Sequence, residues 1–308
     1  MEMKNCRNAY GEALRRLGAE NKDIVVLEAD LGNSTMSKLF GAENPERYFQ
    51  MGIAEQNMLS TAAGLALAGK IPFANSFAVF SSGRPYDQIR SSICIPNANV
   101  KICGSSAGLS DYGDGKTHQS IDDLAIMQVL PNMTVLSPVD AVETEKMVEA
   151  MVEMKGPCYL RINRNDVPVL TDPEEEYHIG KISTLREGTD IVIFATGLMV
   201  YQSLEAAKIL EKEGISARVV NISTVKPLDC EKVCALAEGM KAAVSVEEHS
   251  VFGGLGAAIL KALAKKPLPT EIIGVEDSFG TSAENYELML KEYKLTPEDI
   301  AERAKKIL

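Results

Sequence analysis

One carboxylate stands at the head of an otherwise uncharged stretch. In MGIAEQNMLSTAAGLALAG (51–69), Glu55 precedes a helical run of apolar and small residues. Acids favour a helix's first turn because the dipole and the free amides stabilise them, and that alone would explain the position. A run so poor in charge is predicted to be buried on most sides, which turns the same carboxyl into a candidate acid–base group. Ala62, Ala63, Gly64 and Ala66 would also let another backbone approach closely. Downstream, Phe73, Phe77 and Phe80 crowd into one segment of a chain with eight Phe in all. Core packing accounts for such a cluster, and so does a stacking platform for a flat heteroaromatic ring. A Gly-, Ser- and Asp-rich loop, GSSAGLSDYGDGKTHQSIDD (104–123), follows a predicted strand and precedes a helix expected to start near Gln119. Open α/β sheets place ligands at such strand ends, which makes Asp114 and His118 candidate hydrogen-bonding or proton-transfer groups. In CYLRINRND (158–166), Arg161 and Arg164 read either as solvated charges or as an anion clamp, since guanidinium forks match phosphate geometry.

The elements that must position these residues alternate. Residues 4–17 carry Ala9, Ala13, Leu14 and Leu17 at helical spacing, with Gly18 as a stop. The β-branched run IVVLEA (24–29) reads as a buried strand, as do segments near 100–104, 134–138 and 158–162, with a helix over 140–154. Strand–helix alternation of this kind implies a parallel sheet covered on both faces. Residues 166–188 break the pattern with two prolines and an acidic run. A second alternation then begins at DIVIFA (190–195) and ends in two helices. The expectation is an α/β protein of two doubly wound domains, over 1–170 and 189–308, joined by a linker over 171–188.

Bulk properties narrow the function class. The 308 residues suit two domains, and 45 % apolar with 24 % charged content is ordinary for a globular chain. A net charge of −11 argues against nucleic-acid and membrane surfaces, both of which need a basic footprint. The N-terminus MEMKNCRNAYGEALRRLG lacks the apolar core of a secretory signal, so a cytoplasmic location is expected. The six cysteines match no zinc spacing and are expected to be small buried residues in a reducing compartment.

Taken in order, CRNAYGEAL, EADLGNS, GIAEQNM, NSFAVF, YGDGKTHQ, LRINRND, STVKPLD, EEHSVFGGLG and VEDSFGTS resemble the C-terminal half of the transketolase family: its pyrimidine-binding and C-terminal domains. The resemblance implies thiamine diphosphate as cofactor, with Glu55 hydrogen-bonded to its pyrimidine ring nitrogen and Phe77 and Phe80 stacked on that ring. It places Asp30 near the cofactor and a subunit interface. It gives Asp114 the substrate hydroxyl, His118 proton transfer in the channel, and Arg7, Ser34 and Arg164 the phosphate of a sugar phosphate.

Ser106 departs from the family pattern, falling where several transketolases have a phosphate-contacting histidine. The turn after Phe80, SSGRP, is about one residue longer, leaving Arg84 or Tyr86 to fill the next contact. Gly113-Asp114-Gly115 imitates the start of the magnesium- and diphosphate-binding motif of thiamine enzymes, but no closing Asn follows in PVDAVETEKM. The Mg²⁺ or Ca²⁺ ligands are therefore expected on a separate N-terminal subunit, within a heterotetramer built on a homodimer of this chain. The rival readings are the β chain of a 2-oxo-acid dehydrogenase decarboxylating component, the matching piece of a deoxyxylulose-phosphate synthase, and a non-catalytic scaffold. Arg7, Ser34, Arg164, Asp114 and His118 favour phosphorylated sugars.

Overall fold

The computed structural model describes residues 1–308. Its larger sheet has seven strands, in the spatial order 224–226, 134–136, 158–161, 101–105, 71–77, 24–28 and 48–50. Every neighbouring pair is parallel except the antiparallel edge strand Thr224–Lys226. That edge strand is lent by chain that has already entered the second domain. The second sheet has five strands, in the order 270–275, 242–250, 191–195, 217–222 and 182–186, with only Ile182–Arg186 antiparallel. Its central strand IVIFA is wholly buried, as a strand covered on both faces must be.

Several sequence expectations change at this level. Ile182–Arg186 lies within the predicted linker but pairs with Ala217–Ile222, so part of that linker is sheet. Asp166–Pro168 pairs antiparallel with Met3–Asn5, so the first helix begins at Cys6 rather than at residue 4. Asn5 caps it by accepting from the amides of Arg7 and Asn8. Gly18 does not stop the helix, which runs to Glu20. A Cβ there would lie 2.3 Å from the Phe40 ring, so the glycine marks a close packing contact. The helix after the polar loop starts at Asp123, not near Gln119. Cys230 is exposed and Cys234 half-buried, against the expectation that all six cysteines are buried.

The two domains share one apolar core. A continuous cluster runs from Tyr10 and Leu14 through Met147 and Met151 to Ile193, Met199, Leu210 and Ile300. Polar groups lock the same boundary. Arg161 is buried, pairs with Asp123 at 2.9 Å and donates to the Glu248 carbonyl at 2.7 Å. It is therefore an interdomain tie and not part of an anion clamp. The Glu248 carboxylate, on the second domain's strand, accepts from the Leu109 amide at 2.7 Å and from Asn163 at 3.3 Å. Gly108, at φ 65°, is where this approach is closest, since a Cβ would meet the Glu248 carboxyl carbon at 2.6 Å. Glu248 thus anchors the polar loop 104–123 from the other domain.

Burial pushes the Glu248 carboxyl up to about 7, with Arg161 opposing. Burial also pushes Glu28 and Glu143 up to about 7. An unfolded glutamate titrates near ~4.3. Stability from a carboxyl raised on folding is complete below that value and is lost as pH rises towards the folded value. Urea unfolding should therefore show stability falling between pH 5 and pH 7, with a shallower fall in Glu248→Gln. Identical pH slopes for the two proteins would contradict this assignment.

Candidate active site

Apart from Arg7, on the first helix, the candidate residues lie at or follow the carboxyl ends of five adjacent strands. Phe77 ends the strand Ile71–Phe77, and the turn into the helix Ala78–Gly83 brings Phe80 beside it. Their rings are parallel within 14°, with centroids 6.1 Å apart. His118 packs edge-on against both, at 6.2 Å from Phe77 and 5.2 Å from Phe80. Phe73 is on the same face of the strand as Phe77 but earlier along it, away from the strand's carboxyl end, and lies fully buried in the core.

Glu55 opens the helix Glu55–Leu67 and is buried. Its carboxylate accepts from Arg84 Nη1 at 2.8 Å, and the Arg84 guanidinium lies 4.1 Å over the Phe80 ring. Of the two contacts left open by sequence, Arg84 is the one that reaches the platform. The helix is not buried on most sides. Met58, Leu59, Ala62 and Ala63 face the core, whereas Gln56, Asn57, Ser60, Gly64 and Leu67 are exposed. This outer face carries no charge, and Ile53 and Leu67 on it are each more than 70 % exposed.

The arginines form the other end of the site. The short ribbon of Met3–Asn5 with Asp166–Pro168 ties the chain's start to the segment after Arg161. Asn5 donates to the Arg164 carbonyl at 3.1 Å, which brings Arg7 and Arg164 together. Arg7 Nη1 donates to the Ser34 carbonyl at 3.0 Å, while Arg7 Nε is buried with no partner. Burial, and then the like charge of Arg164, hold Arg7 below the ordinary arginine value. Arg164 lies 5.9 Å over the Phe77 ring, which makes the charged cluster continuous with the aromatic platform.

Asp111 was not singled out by sequence, where nothing separates it from Asp114 in the same polar loop. It is buried and pairs with Arg164 Nη1 at 2.6 Å. Burial pushes its carboxyl up, against the pull of Arg164. Asp114, by contrast, is exposed at the rim, 3.6 Å from the same nitrogen. Ser106 is buried in a left-handed conformation at φ 54°, and its hydroxyl has no partner. Asp30 has no side-chain contact with the other candidates and donates its amide to Gln50 at 2.8 Å. It is exposed at φ 62°, on a turn held by the buried Glu28, which accepts from the Ala29 and Leu31 amides and from Thr35 at 2.7 Å. No group of three or more His, Cys, Asp or Glu side chains is arranged to hold a metal ion.

Two family models match the chain: the transketolase pyrimidine-binding domain over residues 2–169 and the transketolase C-terminal domain over 180–300. This chain belongs to the transketolase family. It is 43 % identical over 304 residues to a Methanocaldococcus jannaschii protein described as a putative transketolase C-terminal section, covering 97 % of this chain and 95 % of that one. It is 38 % identical to the 6-deoxy-6-sulfo-D-fructose transketolase subunit of a Clostridium species, covering 96 % and 94 %. A solved split-gene transketolase, described as an inactive β4 tetramer, superposes with a TM-score of 0.89 at 45 % identity, covering 99 % and 98 % of the two chains. Membership in the transketolase family implies dependence on thiamine diphosphate.

The residues present fit the pyrimidine end of that cofactor. The Arg84 guanidinium covers the same two features such a ring would need, a flat aromatic face and the carboxyl beside it, although it donates to Glu55 where a ring nitrogen would accept. It lies against Phe80 and bonds to Glu55. A ring entering there must displace it. The Arg84 side chain is 48 % exposed, so the ion pair is worth only ~0.2–1 kcal/mol, and the cation–π contact adds ~0.5–1 kcal/mol. Arg84→Ala should therefore bind thiamine about fivefold more tightly than wild type in calorimetry on the isolated chain. Equal or weaker binding by the variant would show that Arg84 does not compete for this position.

Proposed function

We propose that this chain is the C-terminal subunit of a split, thiamine-diphosphate-dependent transketolase. It would transfer a two-carbon ketol unit between sugars that end in an acid group, working with a separate N-terminal subunit. The observation that carries this reading is Glu55 at the edge of the Phe77/Phe80 platform, joined through Arg164 to a two-arginine cluster. Bound thiamine diphosphate supplies the nucleophilic carbon that takes up and releases the two-carbon unit. In this reading Glu55 holds the proton at the pyrimidine nitrogen, and Phe77 and Phe80 fix the plane of the ring. His118, packed on both phenylalanines, moves protons at the substrate oxygen. Asp114, on the rim, accepts from the substrate hydroxyl. Arg7, Ser34 and Arg164 hold the terminal acid group. Asp30 contributes where the cofactor meets the second subunit.

The diphosphate and its Mg²⁺ or Ca²⁺ are assigned to the N-terminal subunit. The exposed, uncharged face of the helix Glu55–Leu67 supports a subunit contact beside Glu55. Small residues such as Gly64 permit close approach there, since a Cβ on Gly64 would meet nothing within 4 Å. The description of a split-gene relative's β4 tetramer as inactive supports the same dependence. Closed two-fold symmetry would give two copies of each subunit and two sites. The terminal group is phosphate in the reading from Arg7, Ser34 and Arg164, and the Clostridium relative's name shows that a family member also takes a sulfonated sugar.

The test is reconstitution with an N-terminal subunit, followed by a coupled assay for ketol transfer. Activity should appear only with both chains, and Glu55→Gln should lower turnover by about 10²–10⁴-fold. Wild-type turnover in the Gln variant, or full transfer by this chain alone, would refute the assignment.

A further inference from the structure

We propose that Asp111 sets the charge of the acid-binding end of the site, so that it favours a singly charged terminal group such as a sulfonate over a phosphate dianion. This rests on the reading of Arg7, Ser34 and Arg164 as the acid-binding set. Two guanidinium groups alone would suit a doubly charged group, because each can meet its oxygens with charge-assisted hydrogen bonds. They are not alone. The buried Asp111 carboxylate sits 2.6 Å from Arg164 Nη1, and Asp114 at the rim is 3.6 Å from the same atom. The two arginines and Asp111 together leave one net positive charge, and Asp114 subtracts from that at the entrance.

Asp111 cannot move its charge into water, being about 1 % exposed. Its repulsion of an incoming anion is therefore weakly screened. That repulsion grows in proportion to the ligand's charge, so a dianion suffers about twice what a monoanion does. A phosphate ester carries about −1.5 to −2 at pH 7, whereas a sulfonate carries a single charge. Hydrogen-bonding capacity remains even though Nη1 of Arg164 is engaged. Arg7 Nε is buried without a partner beside the pair.

A purely orienting role for Asp111 makes a different prediction, because losing it would then weaken every anion by the same factor. The experiment uses the isolated full chain at pH 7.5 with methanesulfonate and methyl phosphate as probes, their affinities read by ligand-observed NMR. Wild type should bind methanesulfonate at least as tightly as methyl phosphate. Asp111→Asn, which keeps the shape and removes the charge, should gain about tenfold for methyl phosphate and about threefold for methanesulfonate. Arg164→Gln should weaken both probes. Wild type binding methyl phosphate tenfold more tightly would overturn the inference without recourse to any variant, as would equal shifts for both probes in Asp111→Asn. Unchanged affinities in Arg164→Gln would overturn the acid-site reading and this inference together. None of these readouts requires a partner subunit or turnover, so they stand separately from the ketol-transfer assignment.

Discussion

The interaction on which the rest depends is the buried tie between Arg161, Asp123 and Glu248. A guanidinium removed from water is tolerated only when its charge and donors are met. Here the partners come from both domains: the Asp123 carboxylate on the first, and the Glu248 carbonyl on the second. Losing one partner would leave a buried charge uncompensated, a cost of roughly 3–5 kcal/mol. The tie therefore fixes how the domains meet. It also fixes the polar loop, because the Glu248 side chain on the same strand accepts from the Leu109 amide and from Asn163. The loop bearing Asp111, Asp114 and His118 is held by the second domain as well as by its own.

The fold then supplies geometry at little further cost. In the larger sheet the strands 158–161, 101–105, 71–77 and 24–28 are neighbours and parallel. Their carboxyl ends lie on one edge, so Arg164, the 104–123 loop, Phe77 and the turn with Asp30 and Ser34 emerge side by side. The ribbon joining Met3–Asn5 to Asp166–Pro168 adds Arg7 from the first helix. The second domain brings no candidate residue of its own, but it braces the loop through Glu248 and lends the larger sheet its edge strand Thr224–Lys226.

Within this frame the free chain pairs two of its site arginines internally and leaves Arg7 without a carboxylate. Glu55 is paired with Arg84, and Arg164 with Asp111. Both pairs join a buried carboxylate to a more exposed arginine, which keeps the acids from standing unpaired in low dielectric. Binding at Glu55 must exchange its contact with Arg84, whereas at the other end Arg7 Nε is still unpartnered. The outer face of the helix that starts at Glu55 is the complementary feature, an exposed and uncharged boundary beside the site.

The amino-acid sequence by itself marked out the α/β architecture, the family and a set of candidate residues. Alternating β-branched runs and helical periods are local signals, so two α/β domains were legible, as were Glu55 at the head of an uncharged run and the order of the family's motifs. Phe77, Phe80, His118, Arg7 and Arg164 were legible as types in context. What only the tertiary structure decided is which charges meet. Arg161 and Arg164 are three residues apart and alike in sequence, yet one is an interdomain tie and the other part of the site. Asp111 and Asp114 share one loop, yet one is buried against Arg164 and the other is exposed. Ile182–Arg186 looked irregular because an edge strand has one neighbour and needs no strong pattern. Periodicity reports burial along an element, whereas pairing depends on which distant segment arrives opposite, and that is fixed only when the two domains close on one core.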